Sequence, residues 1–175
     1  KPWHYDDLDD DLAKELSKRQ ISTGSFLDVG CGLGSQAIHL AKMGFQVTGT
    51  DVSELAIKHA KKLSNDVKFT VDNLLNSNLN DNAFDYIFDR GCLHVFDIPL
   101  RAFYLKNIKR ILKTQGILFL KCLTNKRPNF IKESIPYLIS KSEVIDLFEE
   151  DFEILSITDT FFQGHFKVLP NALFT

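Results

Sequence analysis

Phe26-Leu27-Asp28-Val29-Gly30-Cys31-Gly32-Leu33-Gly34 is the stretch from which the architecture of this chain unfolds. Four residues of buried-strand character lead into glycines at alternate positions, and a helical pattern, Ser35 to Met43, follows at once. Glycine permits positive φ and lets another group come close to the backbone. A strand, a glycine turn and a helix N-terminus together form a nucleotide-shaped site at the edge of a sheet. A second strand-like run, Phe45 to Thr50, ends at Asp51, close to the interval usual for a carboxylate that binds ribose hydroxyls. A helix-capping role for Asp51 is the plainer alternative, because Val52 and Ser53 lead into a helix.

The glycine spacing distinguishes two cofactor chemistries. Dinucleotide sites use G-x-G-x-x-G with a pyrophosphate on the helix dipole. Here the order is Gly30-x-Gly32-x-Gly34, and Ser35 stands where the dinucleotide pattern needs glycine. Asp28, just before the turn, would repel a pyrophosphate and attract an ammonium group. S-adenosylmethionine has an amino group, a sulfonium charge and a ribose, and no phosphate. The run Asp28-x-Gly30-x-Gly32-x-Gly34 resembles the first motif of class I methyltransferases. A nicotinamide dehydrogenase is the rival enzyme reading, and a cofactor-sensing module the non-enzymatic one.

The remaining pattern alternates strands and helices. Predicted strands are 25–29, 46–50, 67–71, 84–89, 116–122, 153–160 and 166–174; predicted helices are 8–18, 35–43, 54–63, 99–111 and 141–149. Ser53 and either Ser140 or Ser142 are expected helix starts, with Gly44 and Gly116 as stops. The expected fold is α/β, a doubly wound, mostly parallel seven-stranded sheet covered on both faces. The last two strands have no helix between them, so the final strand is expected to be antiparallel. Residues 1–24 are expected to form an N-terminal lid and helix, and 25–175 the core of a single domain. Asp6-Asp7-Leu8-Asp9-Asp10-Asp11 reads as a solvated helix start. Leu123 to Ile139, with Pro128, Pro136 and the basic residues Lys121, Lys126 and Arg127 in or beside it, reads as a long connection at a strand end.

The formal net charge of −2 over 175 residues gives no general attraction to nucleic acid or anionic membrane. No apolar run reaches the length of a membrane span, and no signal pattern opens the chain. The lack of an initiating Met suggests a processed or trimmed form. Cys31, Cys92 and Cys122 have no metal-ligand spacing and read as reduced thiols in a cytoplasmic protein.

Further candidate residues follow the later strands. Asp72, with Asn73 and Leu74 after it, suits an adenine: the carboxylate accepts from the exocyclic amine while the backbone meets the ring. The fourth strand ends in Asp89-Arg90-Gly91-Cys92-Leu93-His94. That motif resembles the small-molecule methyltransferases that include thiopurine S-methyltransferases and tellurite-resistance methyltransferases. Pro2-Trp3 is similar to their lid segment, and Phe152 to Leu155, Phe162-Gln163-Gly164 and Leu169 to Phe174 to their C-terminal hairpin. The resemblance implies that Asp89 and the backbone around Arg90 sit near the methionine part of S-adenosylmethionine, with Val52 and Trp3 among the cofactor contacts. An Asp89–Arg90 salt bridge is the structural alternative for Asp89. Trp3 could equally be a core anchor. His94 is the candidate catalytic residue, as acceptor ligand or base, and packing or capping suits it as well. A thiolate or selenolate arrives with its charge formed and needs no strong base. The expected partner is therefore a small, soft or anionic acceptor, such as a thiol, selenol or tellurite; a phenol or amine metabolite is the alternative. No nucleic-acid or membrane partner is expected, and the chain reads as a monomer or weak dimer.

Overall fold

The computed structural model describes residues 3–124, 136–166 and 169–175. Pro2, the segment holding Lys126, Arg127 and Pro128, and two positions of the last predicted strand, 167 and 168, lie outside the described residues.

Seven strands, β1 (Ser25–Val29), β2 (Gln46–Asp51), β3 (Lys68–Val71), β4 (Phe84–Arg90), β5 (Leu112–Leu123), β6 (Thr158–Phe161) and β7 (Asn171–Phe174), form one sheet in the order β3-β2-β1-β4-β5-β7-β6. Strands β1 to β5 pair in parallel, while β7 runs antiparallel to both β5 and β6. The expected class and the antiparallel last strand are both present. Among the described residues, five α-helices accompany the sheet: α1 (Asp10–Lys18), α2 (Ser35–Lys42), α3 (Glu54–Leu63), α4 (Ile98–Ile111) and α5 (Lys141–Phe148).

Local chemistry explains the helix starts. Ser53 accepts from the Ala56 N–H at α3, Asp97 from the Leu100 N–H at α4, and Ser140 forms a reciprocal capping box with Glu143 at α5. Two cores result. One holds Leu27, Ile87, Tyr104, Ile108, Leu120 and Val144; the other holds Leu16, Phe26, Leu40, Phe69, Phe88 and Phe119. Successive residues of a strand point to opposite faces, so Phe26 and Leu27 serve different cores, as do Ile87 and Phe88.

Several boundaries differ from expectation; the strand predicted over 166–174 is confined, among the described residues, to Asn171–Phe174. Gly116 does not stop a helix: α4 gives way to β5 at Leu112, and residues 113–116 form an irregularity that shifts the register from Phe84–Leu112 to Tyr86–Ile117. Gln115, at φ +65°, turns the chain there. The strand expected over 153–160 is confined to Thr158–Phe161, opposite the four residues of β7. Among the described residues, no helix is long and apolar enough to cross a membrane.

Candidate cofactor site at the strand switch point

The strand order reverses between β1 and β4, and in such sheets ligands settle beyond the carboxyl ends at that point. The glycine turn lies there. Gly30, Gly32 and Gly34 all have positive φ, yet their surroundings differ. A side chain at Gly34 would strike Phe69 of β3, at 2.5 Å from its ring, and also crowd Ala60 of α3, so this glycine packs the helix layer against the sheet. At Gly32 a Cβ would meet nothing within 4 Å. Gly32 therefore borders open space, where a ligand can approach the backbone.

Asp51 shapes this turn. Its Oδ2 accepts from the Gly32 N–H at 2.9 Å and its Oδ1 from the Ser53 N–H at 2.8 Å. A carboxylate has about four acceptor sites, so each oxygen retains capacity for a hydroxyl. Val52 follows with its apolar side chain 66% exposed, a surface suited to the face of a base. Asp72 lies at the end of the next strand, joined to Asp51 by a backbone hydrogen bond of 3.2 Å. Its Oδ1 accepts from the Asn78 N–H at 3.0 Å, while its buried Oδ2 has no hydrogen-bond partner among the described residues. An orphaned buried acceptor costs free energy unless a ligand donor meets it. Asn73 caps the 3-10 turn Leu74–Asn76 through the Leu75 N–H, and the Leu74 side chain enters the core. Leu74 thus leaves only its backbone for a ligand, while the exposed Asn73 also keeps its amide Nδ2.

The carboxylates of β1 and β4 are more deeply committed than the sequence suggests. Asp28 is buried, and its Oδ2 accepts from the Ala37 N–H at 3.1 Å. It thereby caps α2, whose N-cap Gly34 has no side chain to do so. Burial pushes its pKa up to about 7, against the pull of that hydrogen bond and the Arg90 charge. Asp89 is fully buried and accepts from the Cys92 N–H, the Leu93 N–H and the Tyr104 hydroxyl at 2.6, 2.9 and 2.8 Å. Burial raises it to about 6. Its oxygens hold the turn after β4, with one acceptor site of Oδ1 left over.

Arg90 likewise pairs within the protein rather than offering itself to an acceptor. It donates to Asp9 Oδ2 at 2.8 Å, to the Trp3 carbonyl at 3.1 Å and to the Gln163 carbonyl at 2.5 Å. It also lies over the ring of Phe162 at 4.6 Å. Trp3 is 54% exposed, so it is no core anchor; its backbone is held by Arg90. His94 is buried, and its Nδ1 accepts from the Leu123 N–H at 3.1 Å. Burial lowers its pKa to about 4. The ring is thus neutral at pH 7, with the proton on Nε2. Cys31, Cys92 and Cys122 are free thiols, and burial raises the pKa of each, Cys122 to about 12. They are poor nucleophiles here.

Sequence reasoning missed the cluster beside this site. Asp9 caps the start of α1 yet is not solvated, and Lys121, on a strand as its pattern predicts, is buried rather than part of a basic loop edge. Both are 0% exposed, and Lys121 lies on β5. Lys121 Nζ donates to Asp9 at 2.9 Å, to Asp11 Oδ2 at 2.6 Å and to Gln163 Oε1 at 2.6 Å. A lone lysine within the apolar run Leu118-Phe119-Leu120-Lys121-Cys122-Leu123 was the available signal.

Residues 27–120 match a family model described as a methyltransferase domain. The chain belongs to that family. It is a class I, S-adenosylmethionine-dependent methyltransferase domain. A curated human relative, EEF1A lysine methyltransferase 2, is 29% identical over 167 residues, which are 87% of this chain and 64% of the relative. A solved structure from work on the conversion of a disulfide bond into a thioacetal group during echinomycin biosynthesis is 22% identical, with a TM-score of 0.85 over 99% of this chain and 83% of that one. A SAM-dependent methyltransferase from Methanosarcina mazei is 20% identical, with a TM-score of 0.78 over 96% of both chains. The methyltransferase domain thus spans less than two thirds of its curated human relative.

Proposed function

We propose that the protein transfers the methyl group of S-adenosylmethionine to a small, soft or anionic acceptor of the thiol, selenol or tellurite kind. The observation that carries this reading is the state of His94. A general base needs an available lone pair, and the Nδ1 lone pair already receives the Leu123 N–H. The neutral ring retains Nε2–H, which donates to an anion and takes no proton. Asp28 and Asp89, the carboxylates ending β1 and β4, are buried and engaged. An acceptor whose charge is already formed fits such a site.

The described residues suit the cofactor. Asp51 holds the ribose hydroxyls with its remaining acceptor sites. Asp72 Oδ2, the orphaned oxygen, takes the exocyclic amine of adenine, with Val52 against the ring and the Asn73–Leu74 backbone at its edge. The backbone of Gly30, Cys31, Gly32 and Gly34 lines the methionine end. Asp28 steadies the start of α2 below the turn, and Asp89 shapes the loop around that end. When bound, S-adenosylmethionine supplies a methyl group activated by a sulfonium centre. The chain orients the acceptor behind that methyl group and excludes water.

A protein lysine is the second reading, prompted by the human relative. An ammonium acceptor must lose a proton first, and His94 is poorly placed to take it. Transfer of radiolabelled methyl to thiophenol, benzeneselenol, tellurite, catechol and lysine peptides tests the choice. Labelling of the thiol and selenol, with a rate that follows the acceptor's own ionisation, supports the proposal. Labelling confined to catechol or the lysine peptides overturns it.

A further inference from the structure

We propose that Lys121 is a positioning residue: through Asp9 it holds the N-terminal segment, residues 3–9, in place as one wall of the cofactor crevice. Arg90 and Lys121 are direct cross-strand neighbours on β4 and β5. Like charges facing each other across a ladder repel. Asp9 stands between them, accepting from Arg90 Nε at 2.8 Å and from Lys121 Nζ at 2.9 Å. Asp11 completes the balance of two cations and two carboxylates, and it also accepts from the Thr160 hydroxyl at 2.7 Å. Gln163 closes the joint from the hairpin side, taking Arg90 on its carbonyl and Lys121 on its side chain.

The far side of the same segment rests on α2, the helix that follows the glycine turn. Gln36 donates to the Asp7 carbonyl and accepts from the Asp9 N–H, both at 2.8 Å, and His39 Nε2 donates to the Asp6 carbonyl at 2.6 Å. The segment therefore runs between α2 and the ends of β4 and β5, beside the switch point. Removing the lysine charge leaves Asp9 and Asp11 short of a partner in a buried setting, where an unpaired charge is strongly disfavoured. The segment then has reason to lift away. Neither the acceptor class nor the identity of the methyl acceptor enters this inference.

Trp3 is the only tryptophan, so its fluorescence reports the segment alone. The test compares the parent with Lys121→Met, which keeps the stem length and removes the charge. Far-ultraviolet circular dichroism checks folding, acrylamide quenching reads Trp3, and calorimetry reads affinity for S-adenosylhomocysteine. If the docked population falls to about a fifth, the apparent Kd rises about five-fold. The Trp3 quenching constant rises about two-fold in step with the population that has opened. Asp51→Ala serves as the contrast, weakening S-adenosylhomocysteine with Trp3 quenching unchanged. A folded Lys121→Met with parental Trp3 quenching, or with Trp3 released and parental affinity, overturns the proposal. Should that variant not fold, Lys121→Gln removes the same charge while keeping a polar head in the joint, and the same two readouts decide the matter in the same way.

Discussion

Replacing Asp28 with asparagine separates the electrostatic cost of the buried carboxylate from its capping of α2. Asparagine keeps an oxygen for the Ala37 N–H and cannot ionise. In the folded protein burial raises Asp28 from 3.8 to about 7. The carboxyl is therefore protonated in the fold while already ionised in the unfolded chain. Its contribution to stability is complete below about pH 4 and is lost as pH rises through about 7. His94 works in the opposite sense over part of that range. Its pKa falls from 6.5 to about 4, so the penalty for keeping it neutral disappears as pH rises toward 6.5. The parent curve alone is thus a sum of opposing slopes. The difference between variant and parent isolates Asp28. At 1.36 kcal/mol per pKa unit, linkage gives a relative stabilisation of Asp28→Asn that grows by about 2 kcal/mol from about pH 5 to about pH 7. For a chain of this size that growth is about 6 °C in Tm. Thermal melts of parent and variant, without cofactor and at constant ionic strength, measure it. A Tm difference that stays constant across this range would refute the assignment of a buried, late-ionising carboxyl at Asp28.

Four further outcomes are expected. Asp51→Ala removes an acceptor for both ribose hydroxyls and raises the Kd for S-adenosylhomocysteine by about 30-fold or more, measured by calorimetry. Asp72→Asn replaces the orphaned acceptor with a donor, so it weakens S-adenosylhomocysteine and narrows the preference over the inosine analogue; an unchanged preference removes Asp72 from adenine recognition. Gly34→Ala meets the Phe69 ring and a positive φ and destabilises the fold by about 2 kcal/mol or more, whereas Gly32→Ala meets only the φ cost of about 1 kcal/mol and acts chiefly on cofactor affinity. His94→Gln slows transfer without shifting the lower limb of the pH–rate profile, because His94 takes no proton; a lost limb assigns it the role of base.

Much of this architecture was legible because period and punctuation agree. The run from Phe26 to Gly34 is apolar on both faces, as a central parallel strand must be, and its glycines sit where the chain turns into α2. The strand boundaries that failed depend on partners. Residues 153–157 carry a strand pattern, yet β6 extends only as far as β7 pairs with it. Gly116 resembles a helix stop locally, but the β4 ladder draws Leu112 into the sheet first. The roles of Asp9, Asp89 and Arg90 were illegible for a related reason. A carboxylate beside a strand end looks the same in sequence whether it faces a ligand or a buried amide. Only the fold brings Asp9 to Lys121 and Tyr104 to Asp89.

Because β7 slides in between β5 and β6, the hairpin that presents Gln163 seats after strands β1 to β5 during synthesis. Strands β1 to β5, carrying the glycine turn, Asp51 and Asp72, can pair while that hairpin is still inside the ribosome. Residues 3–9 must wait for Gln163. A newly made molecule therefore acquires its nucleoside cradle before its flank, and damage to the hairpin is felt first at residues 3–9.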